Sequence, residues 1–360
     1  MIEEIPLADE IRTGVGHRLN HPWQHCTSAA LSEKQLDDFS DSTIGLLLRG
    51  KRFRAIGAYI GWIASGGTVS PQIPGCLLDL GTCLELFQAS AIVHDDIIDE
   101  ARIRRGLPSA QIAFMTSSPA GGPKFGESAA ILWGDLLFAA ANSYFASAVK
   151  GLDSARLQAL GQLYVTMQAE VAYGQYLDLF AESRDLTADV PPSKESAMEV
   201  IRHKTARYSV VIPILIGAAL AGATPDLLAK LEDFSTPLGI AYQLRDDDLG
   251  IFGSQELTGK PSGDDICAGK RTVQLAVAWE MTDDEGREYL QRYWGAPDLT
   301  PPILSNIQAI ITGSGARAAV AKLMNQHLNQ SQLILDALDV PLEIKQQLCA
   351  FGSALVNREN

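Results

Sequence analysis

The sequence is short of the features that mark disulfide-bound, thiolate-metal and nucleic-acid-binding proteins. Its 360 residues include five cysteines: Cys26, Cys76, Cys83, Cys267 and Cys349. They are scattered, with no pair at the spacings of zinc or dithiol motifs, so a reducing, cytoplasmic setting is expected. Basic residues are outnumbered, with 29 Lys and Arg against 43 Asp and Glu and a formal charge of −14. That balance argues against a nucleic-acid partner, because such binders present a basic face that displaces counterions from phosphate. An anionic ligand must therefore be held by local basic residues or by metal. The opening MIEEIPLADE lacks the basic start and apolar stretch of a signal or transit peptide, and neither is expected. Long uncharged runs are scarce as well. Residues 208–225 only touch the lower limit of about 18 apolar residues for a spanning helix, and Pro213, Gly217 and Gly222 interrupt them. The Ala-rich remainder suits close packing in a bundle, so a buried core helix is expected there and no transmembrane segment.

What the sequence has is helical periodicity. Apolar residues recur at three- and four-residue intervals over 75–101, 128–149 and 155–180, while strand-like alternation is rare. Pro-, Gly- and Ser-rich breaks at 66–74, 117–126, 185–196 and 253–269 have the length of inter-helical loops, and none reads as a domain linker. With 46% hydrophobic residues, no repeat period and no low-complexity tract, the expectation is one all-α domain over 1–360. It should have ten or more helices, with 1–25 as an N-terminal extension or first helix.

Two acidic segments carry the chemistry. In HDDIIDE (94–100), four carboxylates close an apolar helical run that begins near Leu77. Asp95 and Asp99 are four residues apart, so they share a helical face at about 6 Å along the axis, where unpaired carboxylates repel. Such a pair suits a hard divalent cation, and magnesium completes its shell with water and phosphate oxygens. Arg102, Arg104 and Arg105 follow directly, offering planar multidentate donors to phosphate. A solvated acidic helix end is the alternative for DDxxD alone. A second apolar helix, expected over 237–244, runs into RDDDLG (245–250) and repeats the design, and carboxylates from different helices can build a multi-cation site. Basic residues attend this half at Lys204-Thr205, Lys260 and GKRT (269–272), and GKRFR (50–54) adds another positive cluster. Each alone would read as surface charge.

Taken in order, these segments resemble the all-trans isoprenyl diphosphate synthases, or polyprenyl synthetases. The likeness runs through GKRFR (50–54), ELFQASAIVHDDIIDEARIRRG (85–106), GD (134–135), GQYLDL (174–179), KT (204–205), YQLRDDDLGIFG (242–253), TGK (258–260) and GKRT (269–272). It implies an isoprenoid-synthase helical bundle, usually a homodimer, with a central apolar cavity whose mouth carries both Asp-rich segments. Three magnesium ions, with manganese as a substitute, are implied between them. By the resemblance, Asp95, Asp99 and Asp246 hold the metals with Asp96 and Asp247 in support. Arg104, Lys204, Thr205, Gln243, Lys260 and Lys270 contact an allylic diphosphate. Lys51, Arg54, Gln88 and Arg105 bind isopentenyl diphosphate. Three positions depart from the pattern: Gln88 stands where many relatives have His, Gly250 where the second motif often ends in Asp, and Ala268 where Glu is common.

The implied reaction is ionisation of the allylic diphosphate, attack by the isopentenyl double bond, and proton loss to the released diphosphate, with water excluded. The growing chain should run beside the first Asp-rich helix. Ser90 and Ala91 are small enough to admit more than fifteen carbons, and Phe87, about 12 Å along the axis from Asp95, is placed to form a floor. A mainly C20 product, geranylgeranyl diphosphate, is expected. Of the alternatives, a class I terpene cyclase would pair its first motif with Asn, Ser and Glu, unlike DDDLG. A non-catalytic regulatory subunit would have lost ligands, and a magnesium-dependent diphosphate hydrolase would release phosphate without consuming isopentenyl diphosphate.

Overall fold

The structure, a computed structural model, describes residues 5–28, 31–69, 72–117, 121–187, 190–254, 262–296 and 299–357. The chain is 76% helical, and among the described residues the strands are one antiparallel pair of two residues each, Ile103–Arg104 and Leu107–Pro108. The class is all-α, as expected. In chain order the helices are α1 (Ala8–Leu19), α2 (Glu33–Ser40), α3 (Ile44–Leu48), α4 (Phe53–Ala64), α5 (Gly75–Ile98), α6 (Ala110–Ser117), α7 (Pro123–Ala148), α8 (Ser154–Glu182) and α9 (Lys194–Val200). A π-helical segment (Ile201–Val211) continues α9 into α10 (Ile212–Ala221). Then follow α11 (Pro225–Phe252), α12 (Asp264–Cys267), α13 (Val273–Met281), α14 (Asp284–Tyr293), α15 (Pro301–Gly313), α16 (Ala316–Ala337) and α17 (Leu342–Val356). They group into two compact units, Met1–Gly161 with Pro213–Thr224, and Gln162–Ile212 with Pro225–Asn360.

In the first unit α5 packs along α7 and against α4 and α1, burying Leu80, Cys83, Leu84 and Leu86 completely. The helix stops at Ile98, short of the sequence expectation of 101. Asp99 leaves helical geometry at φ −81°, ψ 1° while its N–H still reaches the Asp95 carbonyl at 2.8 Å, and Glu100 then turns left-handed at φ 52°. Glycines set the approach of α10 to α4. A Cβ on Gly61 would lie 1.8 Å from the Ile214 carbonyl oxygen, and one on Gly217 would lie 1.9 Å from that of Ala58. Only residues without side chains allow two helix backbones this close. By length and composition alone, three helical runs could cross a membrane: Gly75–Ile98, Pro123–Ala148 and Lys194–Ala221. The uncharged run singled out in the sequence belongs to the last, whose most apolar window is 78% buried inside the protein.

In the second unit α11 packs against the π-helical segment and α16. The core there includes Ile240, Leu244, Ile251, Ile266, Val273 and Trp279. Helix α11 begins at Pro225, twelve residues before the expected start, and takes Pro237 into its interior. Proline supplies no N–H to the preceding turn. Just before it the Ser235 and Thr236 hydroxyls donate to the Leu231 and Glu232 carbonyls at 2.6 and 2.8 Å, so that turn keeps side-chain hydrogen bonds. GKRT ends in a helix cap. The Thr272 hydroxyl accepts the Leu275 N–H, and α13 begins at Val273.

Candidate active site

At the end of α5 the three aspartates have different environments. Asp96 is 1% exposed, and its carboxylate accepts hydrogen bonds from Arg104 Nε at 2.8 Å and from Arg104 Nη2. Asp95 and Asp99 are half-buried, and Arg104 Nη2 lies 4.0 Å from Asp95 Oδ2. Burial works against the Arg104 charge, but Asp96, Asp95 and Asp99 outweigh it and hold the guanidinium's pKa above its ordinary value. The tight turn that brings Arg104 back is fastened by α6. Gln111 Nε2 donates to the Asp96 and Ala101 carbonyls at 2.8 and 2.7 Å, and Ser109 Oγ donates to the Ala101 carbonyl at 2.6 Å. The GD motif also acquires a role. A Cβ on Gly134 would stand 2.4 Å from His94 Nε2, and Asp135 Oδ1 lies 3.6 Å from that nitrogen.

The basic segment 50–54 builds a second feature of this unit. Arg52 and Arg54 are buried at 6% and 7% exposure. Arg52 has an internal partner, with Nη1 3.5 Å from Glu85 Oε2 and Nη2 donating to the Leu47 carbonyl at 2.6 Å. Arg105, in left-handed geometry at φ 53°, donates from Nη1 to the Leu46 carbonyl at 2.9 Å and to that of Arg49. Its pKa is lowered by burial first and then by the charges of Arg52, Arg54 and Arg104, with Glu85 acting in the opposite direction. A guanidinium whose charge is disfavoured by burial and by neighbouring arginines is suited to an incoming anion. Lys51 is exposed beside them, and Gln88 is half-buried on α5, one turn beyond Glu85.

In the second unit three consecutive aspartates on α11 again diverge. Asp246 is exposed. Asp247 is 7% exposed and accepts a 2.6 Å hydrogen bond from Gln243 Nε2. Desolvation, followed by the charge of Asp265, raises its pKa well above the usual carboxylate range, and Asp246 adds to the shift. Asp248 is tied up structurally, with Arg317 Nε at 2.8 Å and Arg245 Nη1 at 3.1 Å. Lys204 and Thr205 lie in the π-helical segment, half-buried. Lys204 Nζ donates to Asp178 Oδ2 at 2.5 Å, and Gly174 permits the approach, since a Cβ there would lie 2.3 Å from the Lys204 backbone nitrogen. The GQYLDL segment thus serves Lys204 through Gly174 and Asp178. Lys270 Nζ is 3.9 Å from Asp265 Oδ1. Lys260 lies outside the described residues.

Among the described residues no three His, Cys, Asp or Glu side chains converge as a ready-made chelate. In the first unit Asp95 and Asp99 offer carboxylate oxygens, and in the second Asp246 does. Magnesium accepts one or two such ligands and keeps water and phosphate oxygens for the rest, so the donors of each unit, taken by themselves, fit that ion. Of the three positions read as setting chain length, Phe87 and Ser90 are buried at 5% and 3% exposure. The Phe87 ring lies 6.0 Å, centroid to centroid, from Phe138 on α7. Ala91 is half-buried.

The polyprenyl synthetase family profile matches residues 36–311. The chain belongs to the polyprenyl synthetase family. This polyprenyl synthetase is 29% identical to the short chain isoprenyl diphosphate synthase of Methanothermobacter thermautotrophicus over 92% of its own length and 97% of that protein's. It is 32% identical to a chloroplastic geranylfarnesyl diphosphate synthase of Leucosceptrum canum over 74% of the chain and 70% of that protein. Among solved structures, it superposes with a TM-score of 0.87 at 31% identity on the geranylgeranyl pyrophosphate synthase of Corynebacterium glutamicum complexed with isoprenyl diphosphate and magnesium, covering 98% of this chain and 99% of that one. The polyprenyl synthetase is accordingly a trans-prenyltransferase that elongates prenyl chains.

Proposed function

We propose that this trans-prenyltransferase makes all-trans geranylgeranyl diphosphate, condensing isopentenyl diphosphate with allylic diphosphates as a cytoplasmic homodimer. The observation that carries the reading is the pairing of two unlike features in the first unit. Carboxylates close α5, and buried Arg54 is among the charges that lower the pKa of half-buried Arg105. In a chain of this family, an anionic substrate explains the second and a cation-bridged diphosphate the first.

Asp95, Asp99 and Asp246 are the proposed magnesium ligands, with Asp96 and Asp247 in support. Bound there, magnesium would neutralise charge on the departing diphosphate. Lys204, held by Asp178, together with Thr205, Gln243, Lys260, Lys270 and Arg104, orients the allylic diphosphate and stabilises its leaving charge. Lys51, Arg54, Gln88 and Arg105 hold isopentenyl diphosphate, and the Gln88 amide can donate to phosphate oxygen. The proton lost after attack goes to released diphosphate. The C20 length rests on Ser90 and Ala91 being small while Phe87 packs on Phe138 one turn further back.

Purified protein given labelled isopentenyl diphosphate, each allylic starter in turn, and magnesium present or chelated should yield C20 lipid after dephosphorylation. Light scattering on the same sample should give twice the chain mass. Absence of lipid product under every condition overturns the proposal, and a dominant C15 or C25 product overturns the C20 assignment alone.

A further inference from the structure

Helix α5 ends in a Schellman motif built on the wrong residue. The Glu100 N–H donates to the Ile97 carbonyl at 3.3 Å and the Ala101 N–H to the Asp96 carbonyl at 2.8 Å, with Glu100 in left-handed geometry at φ 52°. Glycine usually fills that position, because a Cβ in left-handed backbone crowds the following carbonyl. Glu100 is exposed, so its side chain gains no burial to offset the cost. A strained residue persists only where its surroundings hold it.

The hold comes from α6. Gln111 is 8% exposed, and its Nε2 donates to the Asp96 carbonyl at 2.8 Å and to the Ala101 carbonyl at 2.7 Å. Those two residues are the acceptor and the donor of the bond that closes the motif. Carbonyls only accept, so the amide has one possible orientation, and Gln111 Oε1 is left buried with no hydrogen-bond partner among the described residues. A bare buried acceptor is a cost that an apolar side chain of this size would avoid, and the two donated bonds are what glutamine adds. Its backbone is fixed as well, since a Cβ on Gly126 of α7 would lie 2.3 Å from the Gln111 carbonyl oxygen.

We propose that Gln111 is a positioning residue for the metal-binding end of α5, its amide holding Glu100 left-handed and so keeping Asp99 at the helix cap beside Asp95. The Asp99 N–H meets the Asp95 carbonyl at 2.8 Å in the closed turn. When the turn opens, Asp99 leaves the face it shares with Asp95, and a cation there loses one of two carboxylates. The part played by these aspartates rests on the proposed function, whereas the hold on the turn does not.

Two measurements on the full chain test the inference, with circular dichroism melting to check each fold. Gln111→Met keeps the length and removes both donors. In metal-free protein it should speed hydrogen exchange at the Ala101 amide about tenfold or more. It should also weaken magnesium-dependent binding of inorganic pyrophosphate, read by calorimetry, about tenfold or more. Adding Glu100→Gly, which adopts the left-handed turn without help, should return both quantities to within about threefold of the parent. Glu100→Gly alone should raise the melting temperature by about 1 °C or more, and this variant decides the matter should Gln111→Met not fold. Unchanged exchange or binding in Gln111→Met, a folded double variant that recovers neither, or a Glu100→Gly protein that melts below the parent overturns the inference. A parent protein that binds no pyrophosphate with magnesium overturns the proposed function and the metal role of Gln111 together, and the exchange data then report on the turn by itself.

Discussion

Arg104 donates both Nε and Nη2 to the buried carboxylate of Asp96, eight residues earlier in the chain, at the end of α5. The resemblance gives Arg104 to the allylic diphosphate, and the structure adds that the same guanidinium closes the turn that presents Asp95 and Asp99. Removing it takes from buried Asp96 the guanidinium that donates to it twice. Arg104→Met should therefore cost about 3–5 kcal/mol of stability by urea denaturation. Adding Asp96→Asn should recover a substantial part of that loss. A cost near zero for the single variant would show that the pair does not hold the turn.

Asp178 and Lys204 form the corresponding pair in the second unit, at 2.5 Å. Asp178→Asn keeps the shape and removes the charge that fixes the ammonium. A charge-assisted hydrogen bond contributes about 1.5–3 kcal/mol, so KM for the allylic diphosphate should rise about tenfold or more. KM for isopentenyl diphosphate should stay within about twofold in the same variant, since its proposed ligands lie elsewhere. Equal changes in both constants would mean general loosening rather than displaced Lys204.

Much of this was legible in the sequence because the local signals agree. The 3.6-residue periodicity announces an all-α chain, and carboxylates at the ends of apolar helices are conspicuous for their desolvation cost. What was not legible depends on contacts between distant residues. Nothing in Gln111 marks it as the clamp on the Asp96 and Ala101 carbonyls. The identical letters of DDD conceal one exposed carboxylate, one buried beside Gln243 and one paired with Arg317. Helix ends also escaped. Pro237 reads as a start, yet hydroxyls of the adjoining residues let α11 continue through it. Nothing in the sequence around Lys204 announces that it lies within a π-helical segment, a geometry often found where a helix presents functional groups.

Asp247 should trade stability for function. Its pKa is raised above the ordinary carboxylate range, by desolvation first and then by Asp265, so the folded metal-free protein holds a proton that the unfolded chain has released. Stability then falls as pH rises from the ordinary carboxylate range near 4 toward the raised native value, and is greatest at the acid end of that window. Asp247→Asn removes this penalty and keeps an acceptor for Gln243. The metal-free variant should melt about 2 °C or more above the parent at neutral pH, and the difference should shrink toward pH 4. A parent that melts at or above the variant's temperature at neutral pH would contradict the sign.

Phe87 offers the most direct reading of product length. Its ring packs 6.0 Å from Phe138, on the same helix as Ser90 and Ala91 and further from the acidic end. Eight residues of helix separate it from Asp95, about 12 Å along the axis. Phe87→Ala removes the bulk without touching a charged group, so turnover with short allylic starters should persist. Its products should shift from C20 toward C25 and longer, at a stability cost of about 3–5 kcal/mol for an emptied aromatic site. Phe138→Ala should give a smaller shift in the same direction if Phe87 is held in place by that ring. Chromatography of dephosphorylated lipids from both variants decides the matter: an unchanged length distribution in a folded, active Phe87→Ala enzyme removes Phe87 as the floor.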